Sequence, residues 1–389
     1  MGSQIFGTIK QYRKTINMKT TLKIIGIILK WILILLIIIF SVATLMGGSW
    51  LQTLLLWILC LVIAWWPHFF RERWSRGVSL VVRLFLIVIL LVVSFTAFKP
   101  EPKSSIYLSE EARSELIKIY DQRMADWPAG TEDIYINSEY GKVHVLACGS
   151  PDNPPLVMVH AASMGAHSWA ENLEPLLDHY RVYSVDNIGE GNKSELSDAL
   201  VYPDNQEEIA DHLAFILDEL GIRKAVLFGA SNGGFVTASF ASYYPGRAES
   251  LCLFGPMGLT KLTGGSIMML SIATMYPFKF VRDRVASWAI GEDPYVNGKY
   301  GDWFDCIMRG TVPSVAGPVP LTDGQKAKME FPVLLFLGTR DRIVGDVEPA
   351  RRAAEVYPDI RIEVLESGHL VAVEHAEKVN SVVKEFLRL

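Results

Sequence analysis

The chain has 389 residues, enough for one large domain and an additional segment, and 50% of its residues are hydrophobic. Residues 1–104 carry 12 basic and 2 acidic side chains, whereas the remainder carries 25 and 40. The acidic remainder argues against nucleic-acid binding, which needs a positive surface. The 4 cysteines show no metal-ligand spacing and are too few for a disulfide scaffold.

Three apolar runs dominate the first hundred residues, at about 24–46, 51–70 and 78–98. Each is close to the roughly 20 residues that a helix needs to cross a bilayer, so we predict three transmembrane helices in contact with membrane lipid. Basic residues precede the first run and separate the second from the third, which predicts a cytoplasmic N-terminus. The rest of the chain should then lie outside the cytoplasm, in a multi-pass protein of the cell membrane. A cleaved signal peptide is the alternative for the first run.

From Ser109 onward, strands alternate with helices, and Ser109 itself is predicted to cap a helix that begins with two glutamates. Strands are predicted at 134–136, 143–146, 156–160, 182–186, 225–228, 251–254, 333–337 and 361–365, and helices at 206–220, 233–244, 349–357 and 376–387. This alternation is typical of an α/β domain, in which a mostly parallel sheet is flanked by helices. We place that domain at 105–389, after a membrane anchor and linker at 1–104.

A long insertion, at about 256–331, separates two of these strands and contains no clean strand pattern. It is rich in methionine, aromatic residues, glycine and proline. A long insertion in an α/β domain is usually a cap or lid, and methionine suits an adaptable apolar surface. We therefore predict a cap, with ordinary core helices as the alternative.

A G-x-S-x-G motif occupies residues 229–233, which read Gly-Ala-Ser-Asn-Gly. It follows the strand at 225–228 and precedes the helix at 233–244, which is the strand–turn–helix context of a nucleophile elbow. The glycines permit a tight turn, and the helix N-terminus favours negative charge developing at the serine. We predict that Ser231 is a nucleophile.

With this motif the chain resembles the α/β-hydrolase family over about residues 130–389, whose members place a nucleophile, an acid and a histidine in that order. The resemblance implies that Asp341, after the strand at 333–337, is the acid. It also implies that His369, in the Gly-His after the last strand, is the catalytic histidine, with His375 a weaker candidate. The stretch 186–194 resembles the family's D-x-x-G-x-G-x-S loop and implies a structural role for it.

The resemblance also implies an oxyanion hole made of two backbone N–H groups, those of Ala162 and Asn232. The loop after the strand at 156–160 reads His160-Ala161-Ala162-Ser163-Met164-Gly165. The family usually has His-Gly at the first two positions, so Ala161 is a departure, because alanine resists a positive φ.

Together these features imply a serine hydrolase that cleaves a carboxylic ester through a Ser-His-Asp triad and an acyl-enzyme. The expected substrate is a small-molecule or lipid-like ester, and no cofactor, metal or nucleic acid is expected. Other triad chemistry on the same fold stays open: carbon–carbon bond hydrolysis, haloperoxidase-like activity, aminopeptidase activity or acyl transfer. A non-catalytic membrane receptor that reuses the fold is a further alternative.

Overall fold

The computed structural model describes residues 106–197, 201–261, 279–312 and 317–389. These residues belong to a compact unit that extends from Pro102 to Leu389. The helices in the described ranges are α1 (Glu110–Arg123), α2 (Gln206–Glu219), α3 (Asn232–Tyr243), α4 (Lys279–Ile290), α5 (Pro294–Gly310), α6 (Asp323–Lys326), α7 (Val347–Ala354), α8 (Val371–Glu374) and α9 (Ala376–Leu387). Ser109 caps α1 as predicted, because its side chain accepts a hydrogen bond from the N–H of Ala112.

The strands form a 9-stranded sheet in the order β1-β2-β4-β3-β6-β7-β8-β9, with β5 paired to β2. They are β1 (Glu132–Ser138), β2 (Gly141–Cys148), β3 (Pro155–Val159), β4 (Arg181–Val185), β5 (Glu195–Leu196), β6 (Ala225–Ala230), β7 (Ala248–Phe254), β8 (Val333–Gly338) and β9 (Ile360–Leu365). β2 is antiparallel to β1, β4 and β5, and the other pairs are parallel. Every predicted strand is present, and the α/β fold class is confirmed.

The central strands are apolar along their whole length because helices cover both faces of the sheet. Side chains alternate between the faces, so Phe228 of β6 joins one core cluster and Leu227 joins the other. The first cluster contains buried side chains of α1, α5 and α9, and the second contains those of α2, α3 and α7. The carboxyl ends of the parallel strands meet at one edge of the sheet, where α/β proteins bind ligands.

The segment between β7 and β8 holds α4, α5 and α6. Pro294 occupies the first turn of α5, and the carboxylate of Asp293 caps that turn by accepting from the N–H of Val296. One face of α5 is buried, at Val296, Tyr300, Trp303 and Ile307 among others. Residues 262–278 and 313–316 of the predicted cap lie outside the described residues, so the cap stays a prediction.

The predicted transmembrane helices require a correction. Within the described ranges, no helix is both long and apolar enough to cross a membrane. The longest of them, α5, has 17 residues and includes Lys299, Asp302, Asp305 and Arg309, so it is shorter than the roughly 20 apolar residues of a spanning helix. The ranges 24–46, 51–70 and 78–98 lie outside the described residues. Because no described helix could cross a membrane, we correct the predicted fold class, which included three transmembrane helices, and the predicted multi-pass location in the cell membrane.

Candidate active site

Ser231 lies at the sharp turn between β6 and α3, with a backbone φ of 50° and ψ of −115°. Its N–H donates to the carbonyl of Phe254 at 3.0 Å, which fixes the turn to β7. A Cβ at Gly233 would lie 2.1 Å from the carbonyl oxygen of Val159, and one at Gly229 would lie 2.2 Å from Oγ1 of Thr237. The glycines of the motif are therefore required by close packing at both ends of the turn.

The structure brings Ser231, His369 and Asp341 into one hydrogen-bonded line. Oγ of Ser231 lies 2.7 Å from Nε2 of His369, and Nδ1 of His369 lies 2.8 Å from Oδ2 of Asp341. All three are buried, at 3%, 8% and 6% exposure respectively, so bulk water does not compete for these bonds. An acceptor at Nδ1 favours the tautomer whose Nε2 accepts the proton of the serine hydroxyl.

Backbone N–H groups orient the carboxylate of Asp341. Its Oδ1 accepts from the N–H of Ile343 at 2.8 Å and from that of Val344 at 2.9 Å, which leaves Oδ2 facing the imidazole. The alternative base, His375, lies elsewhere: its Nε2 is 3.2 Å from the carbonyl oxygen of Glu366.

The two predicted oxyanion donors lie on adjoining segments. Asn232 is the first residue of α3, directly after Ser231, and Ala162 follows β3. Gly233 packs against the carbonyls of Val159 and His160, where β3 ends, so the helix N-terminus and the loop are in close contact. Ala161 needs no positive φ here, because the left-handed residue of the loop is Ser163, with φ 60°. Alanine at position 161, where the family usually has glycine, therefore requires no strained backbone conformation.

Ser163 is held from two sides. Its N–H donates to the carboxylate of Glu190, and its carbonyl accepts from the indole Nε1 of Trp303 in α5 at 2.8 Å. Glu190 is fully buried in the loop after β4, and this burial raises the pKa of its carboxyl, while hydrogen bonds from Ser163 and Asn187 oppose the rise. A left-handed non-glycine residue costs about 1–3 kcal/mol, and these two bonds offset that strain.

The D-x-x-G-x-G-x-S loop anchors the same region through Asp186, which has no exposed surface. Its carboxylate accepts from the N–H of Ala166 at 2.6 Å and from the hydroxyl of Tyr120 at 3.0 Å, and it lies 2.7 Å from Nδ1 of His144. Burial opposes ionisation of Asp186, but its bonds and the charge of His144 outweigh that effect and lower the pKa of the carboxyl.

A pocket opens beside the predicted nucleophile, Ser231. Its wall includes Ser231, His369, Ala161, Trp169 and Asn172, and most of the remaining lining is apolar. A second pocket lies between α2 and the loop after β4 and reaches Asn232 without including Ser231 or His369. The first is the candidate substrate pocket because it contains the predicted nucleophile and base. In the described part of the chain, no cluster of three or more potential metal ligands occurs.

Sequence reasoning missed the roles of Glu190 and Trp303. Glu190 lies in the loop at 186–194, to which the resemblance assigned a structural role. The available signal in the sequence was its position between Gly189 and Gly191. Trp303 lies on the buried face of α5, and its helical spacing from Val296, Tyr300 and Ile307 indicated burial but no contact with the loop after β3.

Comparison with known proteins finds similar sequences and similar solved structures. A family model described as the alpha/beta hydrolase fold matches residues 154–280. Carboxylesterase YbfK of Bacillus subtilis (strain 168) is 26% identical over 299 residues, which cover 72% of this chain and 96% of that protein. The uncharacterized carboxylesterase nap of the same strain is 29% identical over 294 residues, covering 69% and 90%. The crystal structure of naproxen esterase (carboxylesterase NP) from Bacillus subtilis matches with a TM-score of 0.65 at 27% identity, covering 70% and 97%.

Proposed function

Since this chain belongs to the α/β-hydrolase family and is a hydrolase that acts on esters, we propose that it cleaves a carboxylic ester through Ser231, His369 and Asp341. The observation that carries this proposal is the continuous hydrogen-bonded line from Oγ of Ser231 through both nitrogens of His369 to Asp341. A nucleophile, a base and a group that orients the base are what acyl transfer from an ester requires.

In the first half of the proposed reaction, Oγ of Ser231 attacks the ester carbonyl and its proton passes to Nε2 of His369. The carbonyl oxygen becomes an oxyanion, which the N–H groups of Asn232 and Ala162 stabilise. Asp341 stabilises the imidazolium that forms. His369 then gives its proton to the departing alcohol oxygen, the carbon–oxygen bond of the ester breaks, and the acyl group stays on Ser231.

In the second half, a water molecule attacks the acyl-enzyme while His369 accepts one of its protons. The tetrahedral intermediate collapses, the proton returns to Oγ of Ser231, and the carboxylic acid is released. The same residues therefore serve twice, and the reaction needs no further acid or base.

We also propose that α4 and α5 belong to a cap beside the active site. The bond from Trp303 of α5 to Ser163 supports this, because it joins the insertion to the loop that carries Ala162. Such a contact lets the insertion influence both the shape of the pocket and the position of an oxyanion donor.

The test uses the full-length protein and p-nitrophenyl butyrate. We expect hydrolysis by the wild type and a loss of at least about 10³-fold in kcat for Ser231→Ala. A fluorophosphonate probe should label the wild type and leave Ser231→Ala unlabelled. Ser239→Ala, a buried serine of the same helix, serves as the control and should keep both activity and labelling. Unchanged turnover in Ser231→Ala would refute the nucleophile assignment.

A further inference from the structure

Two residues that line the candidate substrate pocket each carry a buried polar atom with no hydrogen-bond partner among the described residues: Nε1 of Trp169 and Oδ1 of Asn172. Each of the two residues is 2% exposed. A buried donor or acceptor without a partner costs about 1–3 kcal/mol, so such atoms at a binding site point to a ligand group that completes them.

The orientation of the Asn172 amide is fixed by its neighbours. Its Nδ2 donates to the carbonyl of Ala372 at 3.0 Å and to Oδ1 of Asn380 at 3.0 Å. Asn380 cannot present its own Nδ2 instead, because that atom donates to the carbonyl of Glu171 at 2.8 Å. Turning the Asn172 amide over would set its oxygen against two other oxygens, so Oδ1 of Asn172 is the atom left without a partner.

Trp169 and Asn172 are neighbours in space as well as in sequence. Both belong to the 3₁₀ helix Ala166–Asn172, in which side chains three residues apart lie on the same side. The indole ring of Trp169 packs edge-on against Phe254, with ring centroids 5.4 Å apart, which holds the ring in place. The unpartnered donor and the unpartnered acceptor therefore belong to two neighbouring residues of a mostly apolar pocket wall.

We propose that this pocket selects esters whose enclosed part carries a hydroxyl group. A hydroxyl oxygen accepts from the indole N–H of Trp169, and its hydrogen is donated to Oδ1 of Asn172. An ether or a ketone offers only an acceptor, and a carboxylate would place a negative charge beside the amide oxygen of Asn172. The inference rests on the proposed function, since it takes the pocket beside Ser231 as the ester site.

The test compares matched substrates on the wild-type protein. One series consists of p-nitrophenyl esters whose acyl chain carries a hydroxyl at carbon 3, 4, 5 or 6, each paired with the ester that has a methyl group there. The other consists of butyrate monoesters of diols, each paired with the alkyl butyrate of equal length. We expect about a tenfold preference in kcat/KM for the hydroxyl member in one series, which also identifies the side of the ester that enters the pocket.

Variants link the preference to the two atoms. Trp169→Phe removes the N–H and Asn172→Leu removes the oxygen, and each should lower the ratio of the two kcat/KM values from about ten to less than about three. Ser250→Ala, which removes another partnerless buried polar atom outside the pocket, is the control and should leave the ratio unchanged. If Asn172→Leu fails to fold, Trp169→Phe and the wild-type series still decide.

A ratio below about two in both wild-type series, with ester hydrolysis retained, would overturn this inference and leave the proposed function intact. Absence of hydrolysis for every ester of both series would instead count against the proposed function.

Discussion

The buried carboxylate of Glu190 accepts a hydrogen bond from the backbone N–H of Ser163, the left-handed residue that directly follows Ala162. This contact joins the loop after β4 to the loop after β3. An oxyanion donor must be held within a fraction of an ångström of its working position, because misplacement weakens the hydrogen bond that stabilises the transition state. Glu190 is therefore a positioning residue in our scheme.

We expect Glu190→Ala to lower kcat by about 10- to 100-fold with KM changed less than about threefold. Glu190→Gln keeps an acceptor oxygen and should lose less than about fivefold. The measurement is steady-state kinetics together with the inhibition constant of a trifluoromethyl ketone, which forms an oxyanion on Ser231. That constant should weaken in parallel with kcat/KM, because the inhibitor mimics the transition state. Full activity in Glu190→Ala would contradict the positioning role.

Trp303→Phe tests the other contact to Ser163, since it removes the indole N–H and keeps an aromatic ring in α5. We expect a loss of about 3- to 30-fold in kcat. Because both residues bind the backbone of Ser163, Glu190 through its N–H and Trp303 through its carbonyl, Glu190→Ala and Trp303→Phe should combine non-additively, which a double-mutant cycle measures. Simple additivity of the two losses would show that the contacts act independently.

Asp341→Asn should lower kcat by about 10³- to 10⁴-fold without unfolding the protein. The asparagine Oδ1 can still accept from Ile343 and Val344, but its NH₂ would then face Nδ1 of His369 and favour the wrong tautomer. Kinetics and a thermal melt of the same sample separate loss of activity from loss of folding. A loss of less than about tenfold would contradict the proposed role of Asp341.

Gly233→Ala should destabilise the protein by about 3 kcal/mol or more. The new Cβ would lie 2.1 Å from one backbone carbonyl oxygen and 2.5 Å from the next, so β3 or α3 must move. Gly301→Ala is the matched control: in α5 a Cβ there meets nothing within 4 Å, and alanine should add up to about 1 kcal/mol of stability. Urea unfolding of both variants provides the comparison, and equal stabilities would contradict the packing argument.

The free energy of unfolding should depend on pH through the protonation of His144. Burial disfavours its charged form, but its hydrogen bond with Asp186 and the charges of Asp186 and Asp133 outweigh this and raise the pKa of His144 above its ordinary value of 6.5. The folded protein therefore binds this proton more tightly than the unfolded chain, and the stabilisation is fully present below about pH 6.5. This stabilisation is lost as the pH rises through the pKa of His144 in the folded protein, which lies above 6.5.

The comparison is wild type against His144→Gln, by urea unfolding at pH 5.5, 7 and 9. The stability difference between the two proteins should be largest at pH 5.5 and shrink towards pH 9. A difference that stays constant or grows with pH would contradict the predicted sign.

By itself, the sequence determined the features that depend on local pattern. The apolar runs of β6 and β8, the helical spacing of α2 and α9, and the glycines around residue 231 each encode a local conformation, and the fold followed from their alternation. The same kind of pattern in the first hundred residues predicted three transmembrane helices, the prediction that we correct, because no helix in the described ranges is long and apolar enough to cross a membrane.

The tertiary structure decided which distant groups meet. Ser231 and His369 are 138 residues apart, Ser163 and Trp303 are 140 apart, and Asn172 and Ala372 are 200 apart. Their contacts depend on the order of strands in the sheet and on how α5 packs, and neither is written in the periodicity of any one segment. The sequence therefore indicated the residue types for acyl transfer. Long-range packing decided how the loop at Ala162 is held and left Nε1 of Trp169 and Oδ1 of Asn172 without partners among the described residues.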